Sequence, residues 1–167
     1  MIRAVDKQLT IFGEESRKRV RDRLRGWYDL TRKIDRLKRL IAKDKETLKY
    51  LDDQIEASLV PNYEMMDMPR VSGTSDKVGN LAVKLADKRE ELRLSILHNE
   101  FELNDLERQL REIETAVTEL SPRHAEIVKR YYLYNENWGT ICIRMHIQKS
   151  RLYEMLAEVL DVLGDQL

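Results

Sequence analysis

From residue 14 to residue 58 the chain contains no proline and a single glycine, Gly26, and its apolar residues keep a fixed step. Leu30, Ile34, Leu37, Ile41, Leu48, Leu51 and Ile55 follow one another at intervals of 4, 3, 4, 7, 3 and 4. Residues three and four apart share one face of an α-helix. The spacing therefore predicts a long helix over about 14–58 with a narrow, coiled-coil-like seam. The seven-residue step skips Asp44, a polar slot. Such a slot either fixes register against a partner helix or faces water beyond a short partner.

The pattern stops at LVPNYEMMDMPRVSGTSDKVGN, where Pro61, Pro69, Gly73 and Gly79 predict a loop at about 61–75. Ser75 or Asp76 is placed to cap a second helix, expected over about 76–119. Its seam reads Val78, Leu81, Leu85, Lys88, Leu92, Ile96, Asn99, Leu103, Leu106, Leu110, Ile113, Val117 and Leu120. The steps alternate between 3 and 4, except for two successive steps of 4 around Leu92, which read as a phase shift. Two such helices joined by one loop fold most simply as a long antiparallel hairpin, with pairing between chains as the rival. One seam is too narrow for an independent core, so additional burial by self-association is expected.

A third kind of segment begins at Ser121-Pro122, a capping hydroxyl followed by a residue with no amide to satisfy. Ala125, Ile127, Val128, Tyr131, Tyr132 and Leu133 form an apolar stripe, and YNEN ends it. A short helix at about 138–145, a turn at His146-Ile147 and a helix from about 148 to 163 follow, with Gly164 as the stop. This is the layout of a helix-turn-helix. Cys142 is the small residue where the helices cross, and Ile141 and Met145 bury the first helix. Ile147 plugs the turn, and Leu152, Met155 or Leu156, and Val159 bury the second helix. Domains are thus expected at 1–120 and 121–167.

In this motif the start of the second helix faces the major groove. Gln148, Lys149, Ser150, Arg151, Tyr153 and Glu154 stand there, and Arg144 and Arg123 complete the candidate DNA-binding set. Lys and Arg suit guanine edges and phosphate, Gln suits adenine, and Glu accepts from cytosine. A small helical bundle with a solvated basic helix start is the plainer alternative. Trp138 and the Tyr131–Tyr132 pair are expected in the core rather than stacked on bases. Cys142 is expected as a buried small residue rather than a nucleophile.

Charge agrees with an anionic partner. The formal net charge is zero, yet 17–39 carries eleven Lys/Arg against three Asp/Glu, and 121–153 carries six against two. The basic stretch at 17–39 either adds non-specific DNA affinity or is a solvated helix face. No enzyme is expected. The paired carboxylates sit on charged faces without a Gly-rich loop or a His partner, and His98, His124 and His146 have no ligand spacing. No catalytic residues, metal, cofactor or small-molecule substrate are therefore expected. A single cysteine excludes an internal disulfide and suits a reducing compartment. The first residues, MIRAVDKQLTIFGEESRKR, lack the apolar core of a signal peptide, and no apolar run suits a membrane span. A cytoplasmic, nucleoid-associated location is the expectation.

The segment ELSPRHAEIVKRYYLYNENWGTICIRMHIQKSRLYEML resembles region 4 of bacterial sigma factors. It resembles still more the C-terminal part of the RinA and ArpU groups of phage transcriptional activators. There L-S-P-R opens a helix, a Tyr-rich segment closes it and a Trp opens the helix-turn-helix. MPRVSGTSDKVGNLAVKLADKREEL is similar to a segment that small proteins of low-GC Gram-positive phages and prophages place between two long helices. The two matches cover about 61–163. The resemblance implies a sigma region 4-like unit and a role in phage gene regulation, typically activation of late or packaging genes. RNA polymerase is a further candidate partner beside double-stranded DNA and a second copy of the chain. It also implies Gln148, Lys149, Ser150, Arg151 and Tyr153 as the DNA-facing set. Two positions depart from the pattern. Gln148 stands where related units carry a capping Ser, and Gly139-Thr140 stands where they carry an acidic pair. A small terminase-like packaging adaptor and a coiled-coil scaffold that binds no nucleic acid are the alternatives.

Overall fold

The computed structural model describes the backbone of residues 2–59 and 77–164, and the side chains of 13–57, 79 and 82–164. Every regular element among these residues is helical: α1 (Ile2–Leu59), α2 (Lys77–Thr118), α3 (Pro122–Val128), α4 (Trp138–Met145) and α5 (Lys149–Leu163). A wider π-helical turn, Lys129–Leu133, extends α3. The fold class is all-α, as the spacing predicts. The expected loop at 61–75, its SGTSD segment, the capping role of Ser75 or Asp76, and the side chains of Val78 and Leu81 lie outside the described residues. None of the described helices is long and apolar enough to cross a membrane.

α1 starts at Ile2, well before the expected start near Glu14. Gly13 is helical, and a Cβ there would meet nothing within 4 Å. One interior glycine costs about 1 kcal/mol, which does not stop a helix that gains a hydrogen bond with each added residue.

The chain divides into two compact units, 1–35 with 105–167, and 36–104. The expected boundary at 120 does not separate them, because the C-terminal helices share a core with parts of both long helices. In the first unit that core comprises Val20, Leu24 and Trp27 of α1 and Ile113, Ala116 and Val117 of α2. To these it adds Leu120, Ile127, Val128, Tyr132, Ile141 and six residues of α5. The α5 residues are Leu152, Met155, Leu156, Val159, Leu160 and Leu163, a stripe with the helical period. The burial expected from self-association is in this unit supplied within the chain, by α3 to α5. Each fully buried Leu, Ile or Val contributes about 1.5–3 kcal/mol. The exposed ion pairs Arg17–Asp161 and Arg23–Glu112 contribute at most about 1 kcal/mol each and mainly fix alignment.

In the second unit Leu37, Ile41, Leu51 and Ile96 are buried and Leu48, Ile55, Leu85, Leu92 and Leu103 half-buried. Lys45 pairs with Glu100 at 2.7 Å and Asp52 with Arg89 at 3.4 Å, so rising numbers on α1 meet falling numbers on α2. One expected seam position is corrected. Lys88 is exposed, and Arg89 is the half-buried residue, turned toward Asp52. With Arg89 in the seam the steps from Leu85 to Leu120 alternate 4 and 3 without interruption. The two successive steps of 4 then fall at Leu81, Leu85 and Arg89, so the phase shift lies at Leu85 instead of Leu92.

Candidate nucleic-acid interface

The C-terminal helices are set by caps that the sequence spells out. Ser121 is the N-cap of α3, its Oγ accepting from the His124 amide at 3.4 Å, with Pro122 as the first helical residue. The π turn follows because the Tyr134 amide donates to the Lys129 carbonyl five residues back, at 2.8 Å. Tyr131 and Tyr132 meet edge to face within it, with centroids 5.0 Å apart. Asn135, at φ 50°, turns the chain, and Asn137 caps α4 by accepting from the Gly139 amide at 2.9 Å.

α4 ends in a Schellman turn. His146 occupies the left-handed region at φ 51°, ψ 49°; its amide donates to Ile143 at 3.4 Å, and the Ile147 amide donates to Cys142 at 3.1 Å. This ring of bonds carries an apolar contact at its ends. Cys142 and Ile147 are accordingly both half-buried against the core. Gln148 then occupies the N-cap of α5 in extended conformation, and its side chain makes no capping bond. Gly164 closes α5 in right-handed, helical conformation, not as a left-handed stop.

The anchors are where the spacing predicts. Ile141, Leu152, Met155, Leu156 and Val159 are buried, and Met145 is half-buried at the core edge. On the other side Gln148, Lys149, Ser150, Arg151, Tyr153 and Glu154 are all exposed. Arg144 is exposed on α4 and Arg123 at the start of α3. Among the described residues Arg123 shares no hydrogen bond or ion pair with the rest of the set.

Trp138 corrects an expectation. It is 43% exposed instead of buried, and the indole in the core is Trp27 of α1. Its ring stands below the Lys149 ammonium, 4.5 Å from the centroid, which ties the first residue of α4 to the first of α5. Of the tyrosine pair, Tyr132 is buried and Tyr131 half-buried, as expected of core residues. Burial pushes the Tyr132 phenol up, Tyr131 adds to this, and Arg21 and Arg25 oppose it.

Two cations of the set, Arg151 and Arg144, are held by carboxylates. Arg151 donates to Glu154 at 3.1 Å and to Glu158 at 2.9 Å, and these bonds raise it further above its ordinary range, Glu154 first. Glu158 also meets His124 Nε2 at 2.9 Å, while His124 Nδ1 lies 2.6 Å from Ser121 Oγ. The His124 hydrogen bond, more than Arg151, holds the Glu158 carboxyl below the usual range, against some desolvation. Arg144 and Arg130 share Glu136, both at 3.1 Å. The structure thus joins a chain of polar groups, Ser121–His124–Glu158–Arg151–Glu154, that is not among the sequence expectations. The i, i+3 and i+7 spacing of Arg151, Glu154 and Glu158 was legible; the link to His124 on another helix was not.

No group of three or more His, Cys, Asp or Glu side chains among the described residues is placed to hold a metal ion. No protein-family model, curated protein or solved structure matches the chain.

Proposed function

We propose that this chain is a DNA-binding regulator of phage or prophage transcription, non-enzymatic, reading duplex DNA with the start of α5. The reading includes a long helical hairpin that carries a sigma region 4-like helix-turn-helix, and activation of late genes as the regulatory outcome. The observation that supports it is the division of α5 into two faces. Six consecutive anchor positions are buried, while Gln148, Lys149, Ser150, Arg151, Tyr153 and Glu154 stand exposed at its first turns. A Schellman turn and a short α4 precede it, as expected if α5 is the second helix of a helix-turn-helix facing the major groove. Lys149 and Arg151 are assigned to phosphate or guanine edges, Gln148 to adenine and Glu154 to cytosine. Double-stranded DNA and RNA polymerase are the partners proposed, in the bacterial cytoplasm.

Self-association belongs to the same proposal. In the unit 36–104, Leu94, Leu97 and Phe101 are exposed at helical spacing on α2, opposite the seam of Leu92 and Ile96.

The test is selection of duplex fragments by the purified full-length protein from a genome of the kind that carries it. Enrichment of one short sequence supports the reading. The Lys149→Ala, Arg151→Ala double variant then loses that enrichment. Uniform or absent retention overturns it, and a closed ring in solution would move the assignment to a packaging adaptor.

A further inference from the structure

Beside the α5 start lies a cleft of about 630 Å³. It is lined by Arg25, Tyr28 and Asp29 of α1, by Tyr131 and Tyr132 of the π turn, and by the segment from Asn135 to Trp138. We propose that this cleft binds the sugar-phosphate backbone of duplex DNA flanking the bases that α5 reads, with Arg25 and Arg21 on phosphate. The proposal rests on the reading of α5 given above and adds a second, sequence-independent contact to it.

Continuity is the first argument. Trp138 lines the cleft and also carries the Lys149 ammonium over its ring, so the cleft and the α5 start share a residue. A strand lying against Lys149 therefore has the cleft as its next surface. The second argument is charge. Arg21 and Arg25 are exposed on α1, and both act electrostatically on the Tyr132 phenol in the cleft lining. Glu136, one of two carboxylates in the lining, is already held by Arg130 and Arg144. Asp29 is the other. Arg25 lines the cleft, Lys149, Arg130 and Arg144 contact lining residues and Arg21 acts on Tyr132, against Asp29, Glu136 and the Glu126 that pairs with Arg130. The balance favours an anion.

The third argument is the lining itself. Tyr28, Tyr131 and Trp138 offer aromatic surface to the apolar face of a deoxyribose, and phenol hydroxyls able to donate to phosphate oxygens. Asn137 spends its side-chain oxygen on the Gly139 amide, which leaves its amide hydrogens to donate. Backbone contacts of this kind set register and add affinity without reading sequence. They also give the basic stretch of α1 a role that its composition alone left undecided between a contact and a solvated face.

The experiment uses the full chain and duplexes bearing the selected site, with flanks either long or cut short on one side. Affinity is measured across a salt series. Arg25→Ala is expected to lower the slope of log affinity against log salt by about 0.9, and Arg21→Ala with Arg25→Ala by about 1.8, one condensed counterion per phosphate. Base preference should stay unchanged in both. Arg25→Lys should keep the wild-type slope. Trimming the flank that the cleft holds should weaken the wild type and leave the double variant unaffected. Wild-type slope and affinity in the double variant, with preference still lost in Lys149→Ala, Arg151→Ala, overturns the cleft and leaves the reading of α5 standing. Preference that survives Lys149→Ala, Arg151→Ala overturns the α5 reading, and absence of any duplex binding overturns both.

Discussion

Lys149 stands over Trp138 with its ammonium 4.5 Å from the ring centroid, so a residue proposed to contact DNA is positioned by one from the preceding helix. A cation over an exposed indole contributes about 0.5–1 kcal/mol. Removing either side chain should therefore cost part of what the other provides. In a double-mutant cycle of Lys149→Ala and Trp138→Ala, the coupling in duplex affinity should be about 0.5–1 kcal/mol. Trp138→Phe should keep part of it. Because Trp138 is 43% exposed, thermal stability of Trp138→Ala should fall far less than the roughly 3–5 kcal/mol expected for Trp27→Ala, whose side chain is 1% exposed. Strictly additive affinities would show that the stacked geometry has no part in binding.

On the function proposed above, Glu158 competes with DNA for Arg151. It accepts from Arg151 at 2.9 Å and meets His124 at 2.9 Å, on the same helix whose start is proposed to face phosphate. Glu158→Gln should strengthen binding to duplexes of every sequence and steepen the salt dependence, since Arg151 then exchanges fewer carboxylate bonds for phosphate. The variant should also change the acid limb of stability. The folded-state carboxyl is held low, so its contribution is present above the ordinary glutamate range and lost as pH falls through the lowered value. Urea denaturation over a pH series should show a shallower acid decline in Glu158→Gln than in the wild type.

The same caps explain why the C-terminal helices were legible in the sequence while the core that receives them was not. Ser121-Pro122, Asn137 and the His146 turn are local devices, and the Ser121-Pro122 start and the turn at His146-Ile147 sit where the sequence predicts them. Val20, Leu24 and Trp27 also keep helical spacing, but they lie inside the most basic stretch of the chain, where charge dominates the pattern. What they pack against, Ile127 to Leu163, is more than a hundred residues away. No periodicity on α1 reports that. Trp138 shows the same limit: an aromatic residue of the kind that fills cores, it stands 43% exposed. Lys88 and Arg89 show the finer form of the same limit. A step of 3 or 4 is equally helical, and only the Asp52 carboxylate on the other helix selects Arg89.

His146 takes a left-handed backbone conformation, φ 51°, that a glycine would adopt without steric cost. Its side chain is exposed. His146→Gly should therefore raise stability by up to about 1 kcal/mol, the left-handed penalty less the added freedom of the unfolded chain. His146→Val, branched at Cβ, should lower it. The check is the urea midpoint at constant slope, and destabilisation by glycine would mean that the imidazole holds the turn.

Asp44 and Asn99 are half-buried in the seams of α1 and α2, each adjacent to a partner in the Lys45–Glu100 ion pair at 2.7 Å. A polar seam residue weakens packing and restricts how the helices can align. Replacing both by leucine should add apolar burial worth about 1.5–3 kcal/mol for each side chain fully enclosed, somewhat less here because both sites keep partial exposure. Asp44→Leu with Asn99→Leu should thus raise the urea midpoint. The same change removes the restriction on alignment, so sedimentation should reveal additional oligomeric species beside the wild-type one. A lower midpoint would mean that the polar pair contributes contacts worth more than the burial it displaces. A higher midpoint with one unchanged species would place the alignment of this unit in its ion pairs, Lys45–Glu100 and Asp52–Arg89, rather than in its polar seam.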